Sequence, residues 1–270
     1  MVVRKKSFGQ HFLHDRKVMH DIARAVGYQP GERIIEIGPG TGRLTRCLLE
    51  HIPLEALSAV ELDREMIAHL LEAVPGLPVE QADAARVDWS ATLSGGDARL
   101  VGNLPYNAAA PIFFNALDHR RCFRRLVFMF QKEMAERFTA LPGTDHYGAP
   151  SVITRLLTEP RWLCIVKPSA FRPPPRVDSA VVVFDPRPEP LLGIQEAEVP
   201  AFSSFTHGIF RQRRKTLRNN LRELTPEADR ALAEGGIDGT ARPETLPLEI
   251  IVQLFRLVRG ASDGHSPPSP

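Results

Sequence analysis

The chain has 270 residues, 43% of them hydrophobic and 24% charged, with a formal net charge of +2. That balance excludes a disordered or fibrous protein and allows one large domain, or one domain with a smaller appendage, at about 100–200 residues per domain. No apolar run approaches the roughly 18–20 residues of a membrane-spanning helix, the first dozen residues lack the apolar segment of a secretory signal, and Cys47, Cys122 and Cys164 have no paired spacing. The expectation is a cytoplasmic protein with no disulfide framework, no metal and no membrane.

Asp15 is placed to cap a helix that runs to Val26, with Val18, Ile22 and Val26 on one face. After Pro30-Gly31, strands at 33–38, 57–62, 79–82, 100–102 and 126–130 alternate with helices at 44–52, 65–74 and 111–117. In the helix 65–74, Met66, Ile67, Leu70, Leu71 and Val74 are expected to face inward. Such alternation with short connections predicts an α/β fold around a mostly parallel, doubly wound sheet. Apolar runs at 162–166 and 177–184 flank a proline-rich loop, and with no long helix between them they predict an antiparallel hairpin at the sheet edge.

The composition shifts at Asp185-Pro-Arg-Pro-Glu-Pro190, too proline-dense for a helix or central strand. Beyond it, helices are expected at 199–210, 214–224, 226–234 and 248–258, the third capped by Thr225 with Pro226 in its first turn. The expected domains are therefore a sheet domain with an N-terminal arm at 1–185, a linker at 186–198, a helical domain at 199–260 and a disordered tail at 261–270.

Charge is distributed unevenly. Arg4, Lys5 and Lys6 open the chain, Arg120, Arg121, Arg124 and Arg125 lie mid-chain, and Arg211, Arg213, Arg214, Lys215, Arg218 and Arg222 form an acid-free run. Such a run either neutralises phosphates or forms a solvated helix face.

Glu36-Ile-Gly38-Pro-Gly40-Thr-Gly42 follows a strand and opens a helix, where glycines let a backbone approach a ligand. Its G-x-G-x-G spacing departs from the dinucleotide fingerprint, which argues for a different adenosine ligand; a plain strand–helix turn is the alternative. Glu61 ends the next strand, about 20 residues on, where a carboxylate accepts hydrogen bonds from ribose hydroxyls; an ion pair with Arg64 is the alternative. Asp83 ends the third strand and either accepts from an adenine amino group or caps a helix.

Asn103-Leu-Pro-Tyr106 follows the fourth strand, at the sheet end where ligands bind. It resembles the signature of amino-methyltransferases, in which Asp, Asn or Ser precedes a Pro-Tyr turn. The exocyclic nitrogen of adenine is conjugated with its ring and nucleophilically weak. Two oxygen acceptors, the Asn103 side chain and the Leu104 carbonyl, would hold its N–H bonds and aim its lone pair at a methyl donor. Pro105 fixes that turn, and Tyr106 stacks on the base.

Together with Phe8-Gly-Gln-His-Phe-Leu13, Phe171-Arg-Pro-Pro-Pro-Arg-Val-Asp-Ser-Ala180 and Phe210-Arg-Gln-Arg-Arg-Lys-Thr-Leu-Arg218, these motifs resemble the ribosomal RNA adenine dimethyltransferases, most closely their bacterial small-subunit branch. The likeness runs from about Arg4 to Leu257. It implies a Rossmann-like, S-adenosylmethionine-dependent methyltransferase sheet with a small all-helical C-terminal domain. It implies that the donor contacts His11, Leu13, Gly38, Gly40, Glu61, Asp83 and Asn103, and that Asn103, Leu104, Pro105 and Tyr106 form the catalytic turn. Phe171 would face Tyr106 across a flipped adenine, with Arg211, Arg213, Arg214, Lys215 and Arg218 on RNA phosphates.

The implied reaction is dimethylation of two adjacent adenines in the 3′-terminal hairpin loop of 16S rRNA, in the small (30S) subunit or its precursor, by a monomer with no metal. Two departures stand out: His11 replaces the family's usual Asn, and Ala108-Ala-Ala110 replaces hydroxyl residues after the catalytic turn. The rival readings are a 23S rRNA adenine methyltransferase of the antibiotic-resistance type and an RNA-binding assembly factor with a vestigial site.

Overall fold

The computed structural model describes residues 11–93 and 98–263, without the side chains of 261–263. The basic opening residues, the Phe8-Gly-Gln stretch and the tail from 264 lie outside the described residues. Contacts divide the chain into two compact units, one of residues 1–135 and 158–187, the other of 136–157 and 188–270.

The first unit is built on β1 (Phe12–Leu13), β2 (Arg33–Ile37), β3 (Leu57–Glu61), β4 (Val79–Gln81), β5 (Ala98–Asn103), β6 (Phe123–Gln131), β7 (Thr158–Val166), β8 (Phe171–Arg172) and β9 (Ser179–Pro186). Seven of these form one sheet in the order β4-β3-β2-β5-β6-β9-β7. From β4 to β6 neighbours run parallel, and β9 runs antiparallel to both β6 and β7. Central strands read as unbroken apolar runs because both faces are covered. Leu126 to Phe130 of β6 and Ala180 to Phe184 of β9 are all fully buried. On the edge strand β7, Ile165 is 50% exposed.

The expected hairpin has a feature the pattern did not predict. Between β7 and β9 the chain forms β8, which pairs antiparallel with β1 and sets Leu13 opposite Phe171 and Phe12 opposite Arg172. That small ribbon ties residue 11 to the proline-rich loop.

Helix Arg16–Val26 starts as expected, with the Asp15 carboxylate accepting from Val18 N–H at 3.2 Å. Helix Arg64–Ala73 buries Met66 and Leu70, but Leu71 is 41% exposed. Leu71 is turned about 100° from Leu70, beyond the single stripe a helix lays on a sheet. Three of the mid-chain arginines are engaged within the fold: Arg120 is buried, Arg124 lies 3.5 Å from Glu32, and Arg125 makes two bonds to Asp185 at 2.6 and 3.1 Å.

In the second unit, helix Ala149–Leu157 lies in a stretch for which the pattern predicts no element. The expected boundary assigned 136–157 to the sheet domain; the contacts assign them to the helical unit. The Tyr147 hydroxyl donates to the Leu246 carbonyl at 2.9 Å, and the Tyr147 and Phe210 rings meet edge to face, which fastens this segment to the C-terminal helices. Phe202 and Phe205 pack on Phe255 of helix Leu248–Asp263, which runs five residues past its expected end.

Candidate active site

A cleft opens at the carboxyl ends of β2, β3 and β5, all within the first unit. The glycine loop after β2 forms its floor. Gly38 and Gly40 have φ of +64° and +54°, left-handed conformations that side chains rarely adopt. A Cβ on Gly38 would meet nothing within 4 Å, so the backbone there borders open space in the cleft.

Glu61 ties that loop to the end of β3. Its carboxylate accepts from Gly40 N–H at 3.3 Å, Leu62 N–H at 2.9 Å and Asp63 N–H at 3.0 Å. Burial pushes its pKa up, and these backbone donors oppose the shift. Asp83 caps a turn rather than a helix, with Oδ1 accepting from Ala85 N–H at 3.0 Å, and the residue lines the cleft.

The Asn103–Tyr106 turn is held from three sides. Leu104 N–H donates to the Met129 carbonyl at 3.2 Å, and Ala108 N–H closes the turn on the Pro105 carbonyl at 2.9 Å. The Asn103 amide nitrogen donates to the His11 carbonyl at 3.1 Å. A carbonyl only accepts, so this bond fixes the amide orientation and leaves Oδ1 as the acceptor. The Tyr106 hydroxyl hydrogen-bonds the buried Ser179 hydroxyl at 2.7 Å. The His11 ring lies beside Tyr106, with centroids 5.4 Å apart and planes tilted by 33°.

His11, Leu13, Gly38, Gly40, Glu61, Asp83 and the whole Asn103–Tyr106 turn therefore meet in one cleft. Phe171 does not. It is 2% exposed and packs in the hydrophobic core with Leu13, Met19 and Met129. Pairing of β8 with β1 draws it inward, which a sequence motif alone does not reveal.

Glu36 and Ser179 fall within motifs that assign them no role. Glu36 lines the cleft at 1% exposure with Oε2 unpaired, and its one sequence signal is an acid inside an apolar strand. The lining carries Glu36, Glu61, Asp63 and Asp83 against a single arginine, Arg43. That acid excess suits a cationic ligand and disfavours a pyrophosphate.

The basic run lies in the second unit. Its residues 211–216 form a loop, so the helix expected from 214 starts only at Leu217, where Thr216 caps helix Leu217–Arg222. The buried Asn220 side chain holds the loop by accepting from Gln212 N–H and donating to the carbonyls of Gln212, Lys215 and Thr216. Several of its cations are already paired: Arg213 with Glu244 at 3.4 Å, Lys215 with Glu223 at 2.9 Å, and Arg218 with Asp229 at 3.2 Å. Among the described residues, Arg211 and Arg214 make no ion pair.

The cysteines are free. Away from the cleft, ligating atoms of His20, Cys47 and Glu50 lie within 4.8 Å of one another, a cluster that spacing did not predict. The Arg16 guanidinium stands 3.7 Å from Glu50 and would oppose a cation there.

The strand order and the antiparallel edge are those of a Rossmann-like methyltransferase, and solved structures superpose on this chain accordingly. A 23S rRNA methyltransferase, ErmE, matches with a TM-score of 0.71 at 26% identity, over 92% of this chain and 99% of its own. A dimethyladenosine transferase from Plasmodium falciparum matches in fold with a TM-score of 0.74 at 23% identity, over 94% of this chain and 98% of its own. Curated relatives called ribosomal RNA small subunit methyltransferase A are nearer in sequence. The Syntrophotalea carbinolica protein is 41% identical over 94% of this chain and 97% of its own length. The Thiobacillus denitrificans protein is 44% identical over 90% and 92%. Residues 2–259 match the family described as ribosomal RNA adenine dimethylase, and the chain belongs to that family.

Proposed function

We propose that this protein is a 16S rRNA (adenine-N6,N6)-dimethyltransferase. It uses S-adenosylmethionine to dimethylate two adjacent adenines in the 3′-terminal hairpin loop, within the small (30S) subunit or its precursor, as a step in subunit maturation. The observation that carries this reading is the Asn103 amide, whose nitrogen is committed to the His11 carbonyl so that Oδ1 is held ready to accept from an amine.

The cleft fits the donor, because a cationic ligand is matched by the carboxylates of Glu61, Asp63 and Asp83. When bound, the donor supplies an electrophilic methyl group on a positively charged sulfur. Glu61 is placed for the ribose hydroxyls, Asp83 for the adenine amine, and the Gly38–Gly40 backbone for close approach. Asn103 Oδ1 and the Leu104 carbonyl orient the target amine, and Tyr106 carries the base on its ring. A stacked base gains roughly 1–3 kcal/mol, and the main catalytic effect is positioning. Arg211 and Arg214 are placed for RNA phosphates.

The test is to incubate undermethylated small subunits with radiolabelled donor and map the labelled bases. Label on two adjacent adenines of the 16S loop is expected; label instead on 23S RNA, when large subunits are offered in a parallel reaction, would support the likeness to ErmE. No incorporation would point to a protein that binds RNA without modifying it.

A further inference from the structure

We propose that His20, Cys47 and Glu50 form a zinc-binding site that joins the first two helices of the sheet unit. Ligating atoms of the three residues lie within 4.8 Å of one another. None of the three lines the cleft, so the site stands apart from the methyltransferase reading.

Helix Arg16–Val26 brings His20 to this point and helix Arg43–Leu48 brings Cys47. The second helix continues for a further turn. Leu49 N–H donates to the Thr45 carbonyl at 3.0 Å, Ile52 N–H to the Leu48 carbonyl at 2.9 Å, and Glu50 N–H to the Cys47 carbonyl at 3.3 Å. That turn sets Glu50 three residues after Cys47, on the same side of the helix. Across from it, His20 Nε2 stands 3.8 Å from Glu50 Oε2. The His51 ring meets the His20 ring edge to face with centroids 5.8 Å apart, which puts a second imidazole beside the first. Three protein ligands leave one tetrahedral position, for water or for His51.

A thiol, an imidazole and a carboxylate are donor types that zinc takes together, and the sulfur disfavours the hard cations magnesium and calcium. At zinc bond lengths of about 2.0–2.3 Å, tetrahedral ligands sit about 3.3–3.7 Å apart. The 3.8 Å between His20 and Glu50 is close to that, and the exposed Glu50 side chain is free to turn inward. On binding, the Cys47 thiol gives its proton to solvent and a sulfur lone pair becomes the bond to the metal. Among the described residues the His20 ring makes no hydrogen bond, so the metal displaces no partner from it. Two cations oppose the site. Arg24 is already bonded to Asp21 at 3.2 Å. Arg16, one turn before His20, stands 3.7 Å from Glu50, but its side chain is 78% exposed and swings into solvent when the carboxylate takes the metal.

The test titrates full-length, untagged protein, freed of metal by a chelator, with zinc chloride against a competing chromophoric chelator. Cobalt(II) chloride in a parallel titration reports on the sulfur. One zinc per chain is expected, together with a thiolate-to-cobalt charge-transfer band that C47A loses and that C122A and C164A keep. E50Q is expected to weaken zinc by about 100-fold, a loss that even outer-shell substitutions reach. R16A removes the opposing charge and is expected to tighten zinc by about fivefold. A wild type that takes up no zinc overturns the site, as does a charge-transfer band that outlasts C47A. Equal zinc affinity in wild type, E50Q and R16A means adventitious binding elsewhere and overturns it too. If C47A does not fold, E50Q and R16A decide, since both change exposed side chains.

Discussion

Glu36 shows how one buried atom can set a protein's response to pH. Burial drives its pKa up to about 8, with the nearby Glu61 charge adding to the effect, so it is neutral in the ligand-free fold around neutrality. Over the interval from 4.5 to about 8 the folded chain holds a proton that the unfolded chain has lost. Stability contributed by that difference is present at low pH and falls as pH rises through this window. Glu36→Gln is therefore expected to flatten the decline and to raise stability most at the alkaline end, as read by chemical denaturation near about pH 5 and about pH 8. Tyr106 and Ser179 offer a second test at this scale. Their hydroxyls share one bond, so Tyr106→Phe and Ser179→Ala should each cost about 1 kcal/mol of ring positioning, and the double variant little more than either. Tyr106→Ala should abolish transfer, whereas the donor, which needs no ring, should bind within severalfold of wild type by calorimetry.

Among elements, the loop at 211–216 is the clearest case of order imposed from outside. Its sequence has no turn residue strong enough to define it, and the basic run reads equally well as a helix. What shapes it is the Asn220 side chain, 1% exposed, which satisfies polar groups of Gln212, Lys215 and Thr216 from the following helix. Asn220→Ala leaves those groups without their partner and is expected to destabilise the fold by roughly 2–3 kcal/mol. Thermal melts would register the loss, and Asn220→Asp should recover only the acceptor half. The ribbon of β1 and β8 has the same character, since two residues on each strand position His11, Leu13 and Phe171 at once.

At the scale of the whole molecule, a net charge of +2 is too small to drive RNA association, so affinity must come from local cations. The acids that pair with Arg213, Lys215 and Arg218 take those side chains partly out of play. Arg211 and Arg214 are the cations proposed to carry the remaining burden. Replacing both with alanine is expected to reduce the slope of log affinity against log salt by about 1.4–1.8, and replacing Arg213 and Lys215 by less. Filter binding to the loop-bearing RNA over a salt series would separate the pairs. The path of the chain matters here as well: it leaves the sheet after β6, adds residues 136–157 to the helical unit, and returns as β7.

The sequence by itself determined the alternation of the parallel strands with the helices between them, because periodicity and proline or glycine breaks are local signals, but not β1, β8 or the helices between β6 and β7. It also located the Asn103–Tyr106 turn, the glycine loop and the two acids, since each occupies a strand end whose position follows from the alternation. Glu61 and Asn103 met in the cleft for that reason. What only the tertiary structure decided were the pairings between distant segments. Phe171 reads as an aromatic wall until β8 is seen to pair with β1 and turn the ring into the core. Arg213 and Lys215 read as free cations until Glu244 and Glu223 are brought beside them. His11 Nδ1 meets the Pro173 carbonyl, 162 residues away, through a hydrogen bond that no local pattern encodes.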